Sequence, residues 1–215
     1  MKYLLIGLCV VAEGLVHVSA QSKVHFLMKA GWNYTTITNL EKFEQFYTDP
    51  QFRIDIEPYW RSGMNVSLGF EWNVCRKFAI ETGVGYAEYG ARFTCDYLDI
   101  PLLSDTKYRI SHLQVPLLAK YYVYRGLNVF AGPQVGYKIS TEETSISISM
   151  FNDDIYYSGV AGLGYQFDFG LTVTAGYVHG LTNMDNYGKP NSPASNVKSL
   201  NAKSRAFLFN IGWRF

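Results

Sequence analysis

The last stretch of the chain, residues 205–215, alternates between large apolar side chains and side chains that are mostly small or polar. Successive side chains of a β-strand point to opposite faces, so a period of two gathers one kind of residue on each face. One face would carry Phe207, Phe209, Ile211, Trp213 and Phe215, and the other Ala206, Leu208, Asn210, Gly212 and Arg214. Seven earlier stretches alternate in the same way. Such strands fit a sheet that faces lipid on one side and a small polar interior on the other.

The alternation predicts an all-β fold, namely an eight-stranded antiparallel up-and-down transmembrane β-barrel with short periplasmic turns and long extracellular loops. The predicted strands cover residues 24–35, 62–73, 77–89, 109–124, 127–140, 155–168, 170–182 and 204–215. Each provides the roughly 9–11 residues that a tilted strand needs to cross a bilayer. The connections alternate between short ones at 74–76, 125–126 and 168–170 and long ones at 36–61, 90–108, 141–154 and 183–203. An even number of strands places both termini in the periplasm.

The N-terminus is typical of an exported protein. Lys2 precedes an apolar run at residues 3–12, and Val18-Ser19-Ala20 resembles a signal-peptidase site. We therefore expect residues 1–20 to be a cleaved signal peptide and residues 21–215 to form an outer-membrane β-barrel domain, integral to the cell outer membrane. The alternative for the first segment is a short anchoring helix.

The overall composition agrees with a barrel better than with a helical membrane protein. The mean hydropathy is only −0.04, although 48% of the residues are hydrophobic and 16% aromatic. Alternating strands hide their hydrophobicity in this way, whereas membrane helices need long apolar runs. Removing residues 1–20 takes away one base and one acid, so the formal net charge stays at +1. This charge does not favour nucleic acid as a partner.

Two cysteines remain after the predicted cleavage, Cys75 and Cys95. A predicted strand between them would separate its ends by roughly 35 Å, at about 3.3 Å per residue. The Cα atoms of a disulfide lie within about 7 Å of each other. We therefore expect two free thiols, one at each rim of the barrel.

Aromatic residues on the predicted outward face fall near the strand ends, where rings with one polar edge fit the membrane interface. The periplasmic belt would contain Trp72, Phe78, Tyr121, Phe167, Trp213 and Phe215. The outer belt would contain Trp32, Tyr34, Tyr86, Tyr137 and Tyr177.

The predicted inward face is rich in glycine and carries five charged residues. Glycine weakens a strand, so its concentration on one face indicates a cramped interior, and eight strands enclose only enough space for side chains. We predict a plugged lumen without a pore. The inward charges are Lys29, Glu71, Glu81, Lys120 and Arg214, of which all but Lys29 are placed in the periplasmic half. They would form either a structural ion-pair network, which we favour because buried charges must be paired, or a proton or ion relay.

Other candidate sites are weaker. The histidines of the mature chain are His25, His112 and His179. A lipid-modifying enzyme would need a His, a Ser and an acid together on the lipid face. His179 is outward but Ser158 on the neighbouring strand is inward, so a belt histidine bonded to its surroundings is the simpler interpretation of His179. Acids in the second and third loops could bind divalent cations, although solvated loop acids are the simpler reading: Asp96, Asp99, Asp105, Glu142, Glu143, Asp153 and Asp154. We predict no catalytic, cofactor or metal site.

The first loop is unusually aromatic, with Phe43, Phe46, Tyr47, Phe52, Tyr59 and Trp60. These side chains would either pack over the barrel mouth or present an apolar patch to a partner. The fourth loop, residues 183–203, has too little apolar surface to order itself.

Several segments resemble the PorT-family outer-membrane barrels of Bacteroidetes. The similarity is carried by residues 112–122 (HLQVPLLAKYY), 127–137 (LNVFAGPQVGY), 162–165 (GLGY), 177–183 (YVHGLTN) and the closing Phe215. The resemblance implies an eight-stranded outer-membrane barrel whose aromatic C-terminus, Phe215, is the signal read by the barrel-insertion machinery. It offers no catalytic residues, and one role known in the family is in a protein-secretion system.

The sequence therefore favours a non-enzymatic surface barrel that is structural or binds through its loops, with outer-membrane lipid and lipopolysaccharide as partners. The second hypothesis is an accessory component of a protein-secretion assembly, with secretion-system proteins as partners. The third is a lipid-modifying barrel enzyme. A soluble lipocalin-like carrier would have the opposite arrangement, with its apolar face inward.

Overall fold

A computed structural model describes residues 24–38, 54–97, 100–143, 154–182 and 203–215. Within these ranges, the side chains of residues 54–57, 93–97, 100–108 and 142–143 are not described. The predicted signal peptide and large parts of the first, third and fourth predicted loops lie outside the described residues. None of the described residues belongs to a helix long and apolar enough to cross a membrane.

The described chain consists of antiparallel β-strands joined in a closed sheet. The strands are β1 (Val24–Thr38), β2 (Ile54–Tyr59), β3 (Arg61–Cys75), β4 (Phe78–Tyr97), β5 (Ile100–Tyr124), β6 (Leu127–Glu143), β7 (Ile155–Gln166), β8 (Leu171–Gly180) and β9 (Lys203–Arg214). Neighbours run in the order β4-β3-β1-β9-β8-β7-β6-β5, and pairing of β5 with β4 closes the ring. The wall therefore contains eight strands, which confirms the predicted barrel.

The ninth strand, β2, corrects the predicted first loop. It pairs with the distal part of β4, from Ile54 opposite Tyr97 to Tyr59 opposite Arg92. It thus continues the path of β3 beyond Trp60. The predicted loop 36–61 is wrong at both ends, because β1 extends to Thr38 and residues 54–59 are paired.

The predicted long loop at residues 90–108 is also wrong. β4 and β5 remain paired from the barrel wall out to Tyr97 opposite Ile100, so their connection contains only residues 98–99. Gly90, with φ of 150°, lies where this extension leaves the barrel, in a backbone conformation that favours glycine. Pairing with two neighbours, β2 and β5, stabilises this distal part of β4.

Short turns lie together at one end of the barrel, which we call the turn end; the opposite end is the loop end. The turn between β5 and β6 has positive φ at Arg125 (37°) and Gly126 (76°), as in a two-residue hairpin turn that matches the twist of its strands. The turn before β8 contains Gly170 with φ of 105°. The predicted short connections are therefore confirmed.

The outer wall is apolar and exposed over most of its height. Trp32, Leu68 and Phe209 are exposed by 64%, 50% and 54%, respectively. On the same strands, the alternate residues Asn33, Gly69 and Leu208 face inward. A continuous apolar surface of this kind fits contact with lipid and not with water.

Cys75 ends β3 at the turn end, where its thiol is free and exposed. Cys95 lies on the distal part of β4, opposite Ile56 of β2. A long stretch of β4 separates the two positions, as the sequence predicted, but the Cys95 side chain lies outside the described part of the chain.

Candidate functional site in the barrel lumen

The lumen contains three layers of side chains, and one strand shows their order. Along β5 from the turn end, the inward residues include Lys120, then Leu118, then Gln114 and His112. All four are buried. The layers are therefore ionic near the turn end, apolar in the middle and mainly polar near the loop end, where His112 is opposite Lys138 of β6.

The ionic layer is built around two carboxylates and two lysines. The Lys120 ammonium lies 2.6 Å from Glu71 and 2.5 Å from Glu81, while Lys29 donates to the second oxygen of Glu81. Glu71 is completely buried and Lys120 is 3% exposed. Mutual pairing of this kind offsets the large cost of removing each charge from water.

An outer group of polar side chains completes the coordination of Glu71. Its Oε1 accepts a hydrogen bond from the Tyr122 hydroxyl at 2.8 Å and one from Arg214 at 3.2 Å. The Gln166 side chain fits with its amide oxygen facing the Arg214 guanidinium and its nitrogen donating to Tyr122 over 2.7 Å. The ion network thus reaches the last residues of the chain.

The structure therefore brings together the five inward charges named from the sequence, Lys29 included. The sequence places Lys29 outside the periplasmic half, but its ammonium reaches the carboxylate of Glu81. The backbone of Lys29 pairs with Ser67 and Gly212, and its flexible side chain extends to Glu81.

The apolar layer is a cluster of buried side chains. It consists of Ala87, Tyr89, Leu118, Phe130, Val160, Val178, Ala206 and Leu208. The Phe130 ring lies over two glycines of the neighbouring strands, because Gly162 of β7 is its register partner and Gly176 of β8 is in turn opposite Gly162. A Cβ atom at Gly176 would lie 3.3 Å from Cζ of Phe130, and one at Gly162 would lie 2.5 Å from it, so the glycines here make room for an aromatic ring.

The polar layer near the loop end is centred on His112. Its ring makes edge contacts with Tyr89, at a centroid distance of 5.4 Å, and with Tyr156, at 4.7 Å. Gln114 Oε1 accepts from the Tyr89 hydroxyl at 3.2 Å and from Gln134 Nε2 at 3.0 Å. Beside them is a cavity of about 20 Å³, enough for one or two water molecules. Neither His112 nitrogen has a hydrogen-bond partner within the described residues, so water in this cavity is the natural partner.

The predicted aromatic belts lie on the outer wall. Seven of these side chains are exposed: Trp32, Tyr34, Tyr121, Tyr137, Phe167, Trp213 and Phe215. The other four are partly exposed: Trp72, Phe78, Tyr86 and Tyr177. Tyr86 differs from an ordinary belt residue because its hydroxyl is 2.9 Å from Ser111 Oγ and donates to Glu88 at 3.2 Å. Glu88 in turn pairs with Arg109 at 3.3 Å.

Trp60 from the aromatic first loop packs on the outer wall. It stacks on Tyr34, with ring centroids 5.1 Å apart, and on Phe207 at 5.4 Å. Neither expectation for this loop, a cover over the mouth or a free patch, describes Trp60. Tyr59 is exposed at the end of β2, and the other four loop aromatics lie outside the described residues.

The candidate catalytic side chains lie on opposite faces of the barrel wall. His179 is on the outward face, stacked on Tyr177 at 6.3 Å, whereas Ser158 is buried in the lumen and donates to the Gln134 carbonyl. His25 bonds the backbone oxygen of Phe215 at 3.0 Å. No nucleophile and base of the kind needed for acyl transfer meet among these residues.

The acids proposed for cation binding do not form a described cluster. Asp154 pairs with Lys138 at 3.2 Å. Asp96 is on β4 opposite Asp55 of β2 and Pro101 of β5, not in a loop. The remaining acids have no described side chain, and no group of three metal-binding residues occurs in the part of the chain that the structure describes.

Comparison with known protein families shows which family the chain belongs to. A model of the outer membrane protein beta-barrel domain matches residues 19–186, which is well over half of the 215 residues. The chain belongs to this family. It is therefore an integral outer-membrane protein, which confirms the predicted location. A search of curated proteins found no matching sequence.

Solved structures of small outer-membrane proteins resemble this family member at low identity. Neisserial surface protein A is 11% identical, with a TM-score of 0.49 over 88% of this chain and 97% of that protein. OprG from Pseudomonas aeruginosa is 14% identical, with a TM-score of 0.47 over 91% and 98%. Ail of Yersinia pestis is 12% identical, with a TM-score of 0.46 over 90% and 99%.

Proposed function

We propose that this protein is a non-enzymatic outer-membrane barrel with a plugged lumen, which acts at the cell surface as a structural or loop-binding protein and not as a pore. The observation that carries the proposal is the apolar layer around Phe130 and Leu118. It lies between the ionic layer and the polar layer, so a hydrated ion would have to cross packed hydrocarbon to pass through the barrel.

The ionic layer supports a structural role over an ion relay. Each carboxylate is in contact with two or more cationic or hydroxyl partners, and the lysines are almost completely buried. A relay would need a continuous path of exchangeable groups, whereas the next inward layer is apolar. The separation of His179 from Ser158 likewise supports a protein without acyl-transfer chemistry.

The alternative is an accessory component of a protein-secretion assembly. It is supported by the resemblance of residues 112–122 and 127–137 to PorT-family barrels. In that case the turn end would be the surface that contacts other components, because short periplasmic turns are presented there around Arg76 and Arg125.

Affinity purification separates these two roles. We expect a barrel tagged between residues 190 and 191, extracted in mild detergent, to be recovered with lipopolysaccharide and without a second protein in near-equal amount. An unrelated outer-membrane barrel carrying the same tag identifies nonspecific proteins. Recovery of another membrane or periplasmic protein in near-equal amount would contradict the stand-alone role and favour the assembly.

A further inference from the structure

We propose that the outward face of β8, β9 and β1 at the loop end binds the phosphate groups of lipid A, the glycolipid anchor of lipopolysaccharide. The site consists of a basic rung, formed by His179, Lys203 and Arg205, directly above an aromatic shelf, formed by Tyr34, Trp60, Tyr177 and Phe207. Arg205 and Lys203 would bind phosphate oxygens, and the shelf would pack against the sugar and the first part of the acyl chains.

Strand register places the basic rung and the aromatic shelf in adjacent rows. Arg205 of β9 is opposite His179 of β8 and Thr36 of β1. Two residues nearer the turn end, Phe207 is opposite Tyr177 and Tyr34. Two residues along a strand span about 6.6 Å, so the backbone of Arg205 lies one row nearer the loop end than that of Phe207.

The aromatic shelf is a continuous surface of packed rings. Phe207 lies 5.4 Å from Tyr177 and 5.4 Å from Trp60, and Trp60 is stacked on Tyr34 with an interplanar angle of 7°. Phe207 and Tyr34 are nevertheless exposed by 42% and 48%. Rings in this arrangement mark the level where the hydrocarbon of the membrane meets its headgroups.

The basic rung therefore lies at headgroup height, on the side of the membrane to which the long connections point. Arg205 is exposed, and Lys203 and His179 are partly exposed. In the outer membrane this leaflet is composed of lipopolysaccharide, whose lipid A carries phosphates at that depth. An arginine and a lysine facing such phosphates form charge-assisted hydrogen bonds, which are stronger than neutral ones.

The basic rung is not neutralised within the described part of the chain. Neither Arg205 nor Lys203 forms an ion pair with a described carboxylate, and the acids nearest the loop end are engaged elsewhere. Those pairs are Glu88 with Arg61 and Arg109, and Asp154 with Lys138. Two uncompensated cations beside an aromatic surface fit an anionic amphiphile.

The test measures lipid binding to the full mature barrel in an uncharged detergent by native mass spectrometry. The probes are bis-phosphorylated lipid A, the same lipid A after removal of both phosphates, and phosphatidylglycerol. We expect bis-phosphorylated lipid A to bind at least about tenfold more tightly than either of the other lipids, as two charge-assisted contacts would produce. The double variant Lys203→Gln/Arg205→Gln should remove that preference.

The matched control is Arg76→Gln/Lys77→Gln, which makes the same change of charge at exposed positions of the turn end. It should bind lipid A as the unmodified barrel does, and both variants should keep the heat-shifted gel mobility of a folded barrel. Equal binding of the phosphorylated and dephosphorylated lipids would overturn the proposal. So would equal binding of phosphatidylglycerol, or an equal loss in the control variant. The outcome is independent of whether the lumen is plugged.

Discussion

Replacing Glu81 with alanine is expected to lower the free energy of unfolding of the barrel by about 3–5 kcal/mol. Glu81 forms ion pairs with both Lys29 and Lys120. Its removal leaves Lys29 buried without its carboxylate and leaves Lys120 with Glu71 alone. The measurement is equilibrium unfolding of the refolded barrel in detergent micelles with guanidinium chloride.

The matched control is Asp154→Ala, which removes a carboxylate whose side chain is 61% exposed and pairs with Lys138 at 3.2 Å. This loss should be only about 0–1 kcal/mol, because an exposed pair is screened by water. The double variant Lys29→Met/Glu81→Gln should recover much of the Glu81→Ala loss, since it removes one buried cation together with the anion. A Glu81→Ala barrel that unfolds at the same denaturant concentration as the unmodified protein would contradict the network.

Replacing Phe130 with alanine is expected to cost about 3–5 kcal/mol, through lost burial and the cavity that remains. The ring is 8% exposed and lies against Gly162 and Gly176, which have no side chains to move into the space. The surrounding strands are held by their ladders and would close it only in part. Unfolding in the same micelles measures the loss.

Phe209→Ala is the comparison for that experiment, because Phe209 is 54% exposed on the outer wall. Detergent or lipid can fill the space that its ring leaves, so the cost should be clearly smaller. If the two phenylalanine variants lose the same stability, the middle of the lumen is not packed as described.

The barrel wall and its two faces follow directly from sequence, because side-chain direction alternates at every residue of a strand. Phe207 and Phe209 are thus outward and Leu208 is inward, whatever else the chain does. The inward charges could be named for the same reason. Their partners could be anticipated only as a group, since the pairing of Lys29 with Glu81 depends on side-chain reach and not on parity.

The paired segments beyond the barrel wall differ in how well the sequence indicates them. Residues 91–97 of β4 alternate, with Ala91, Phe93, Cys95 and Tyr97 separated by polar residues, whereas residues 100–106 of β5 contain Pro101 and do not alternate. The β5 segment is paired because β4, which also pairs with β2, provides its neighbour. Contacts between segments override local preference in such cases.

The apolar layer was missed although its residues have inward parity. On β6, Phe130 is a large apolar residue among Asn128, Gly132 and Gln134 on the inward face. A large apolar side chain on an otherwise small and polar face is the sequence feature that indicates the apolar layer. Glycine on the inward face indicates a narrow interior, while its more specific role at Gly162 and Gly176 is to make room for this ring.

Electrical recording of the purified barrel in planar lipid bilayers tests the central proposal, a plugged lumen, most directly. The account predicts that insertion of the barrel, verified by its heat-shifted gel mobility, leaves the membrane current at the level of the bare bilayer, while a general porin reconstituted in parallel gives open-channel steps. Persistent stepwise conductance from the purified barrel would contradict it, because a hydrated ion cannot cross the packed layer around Phe130 and Leu118.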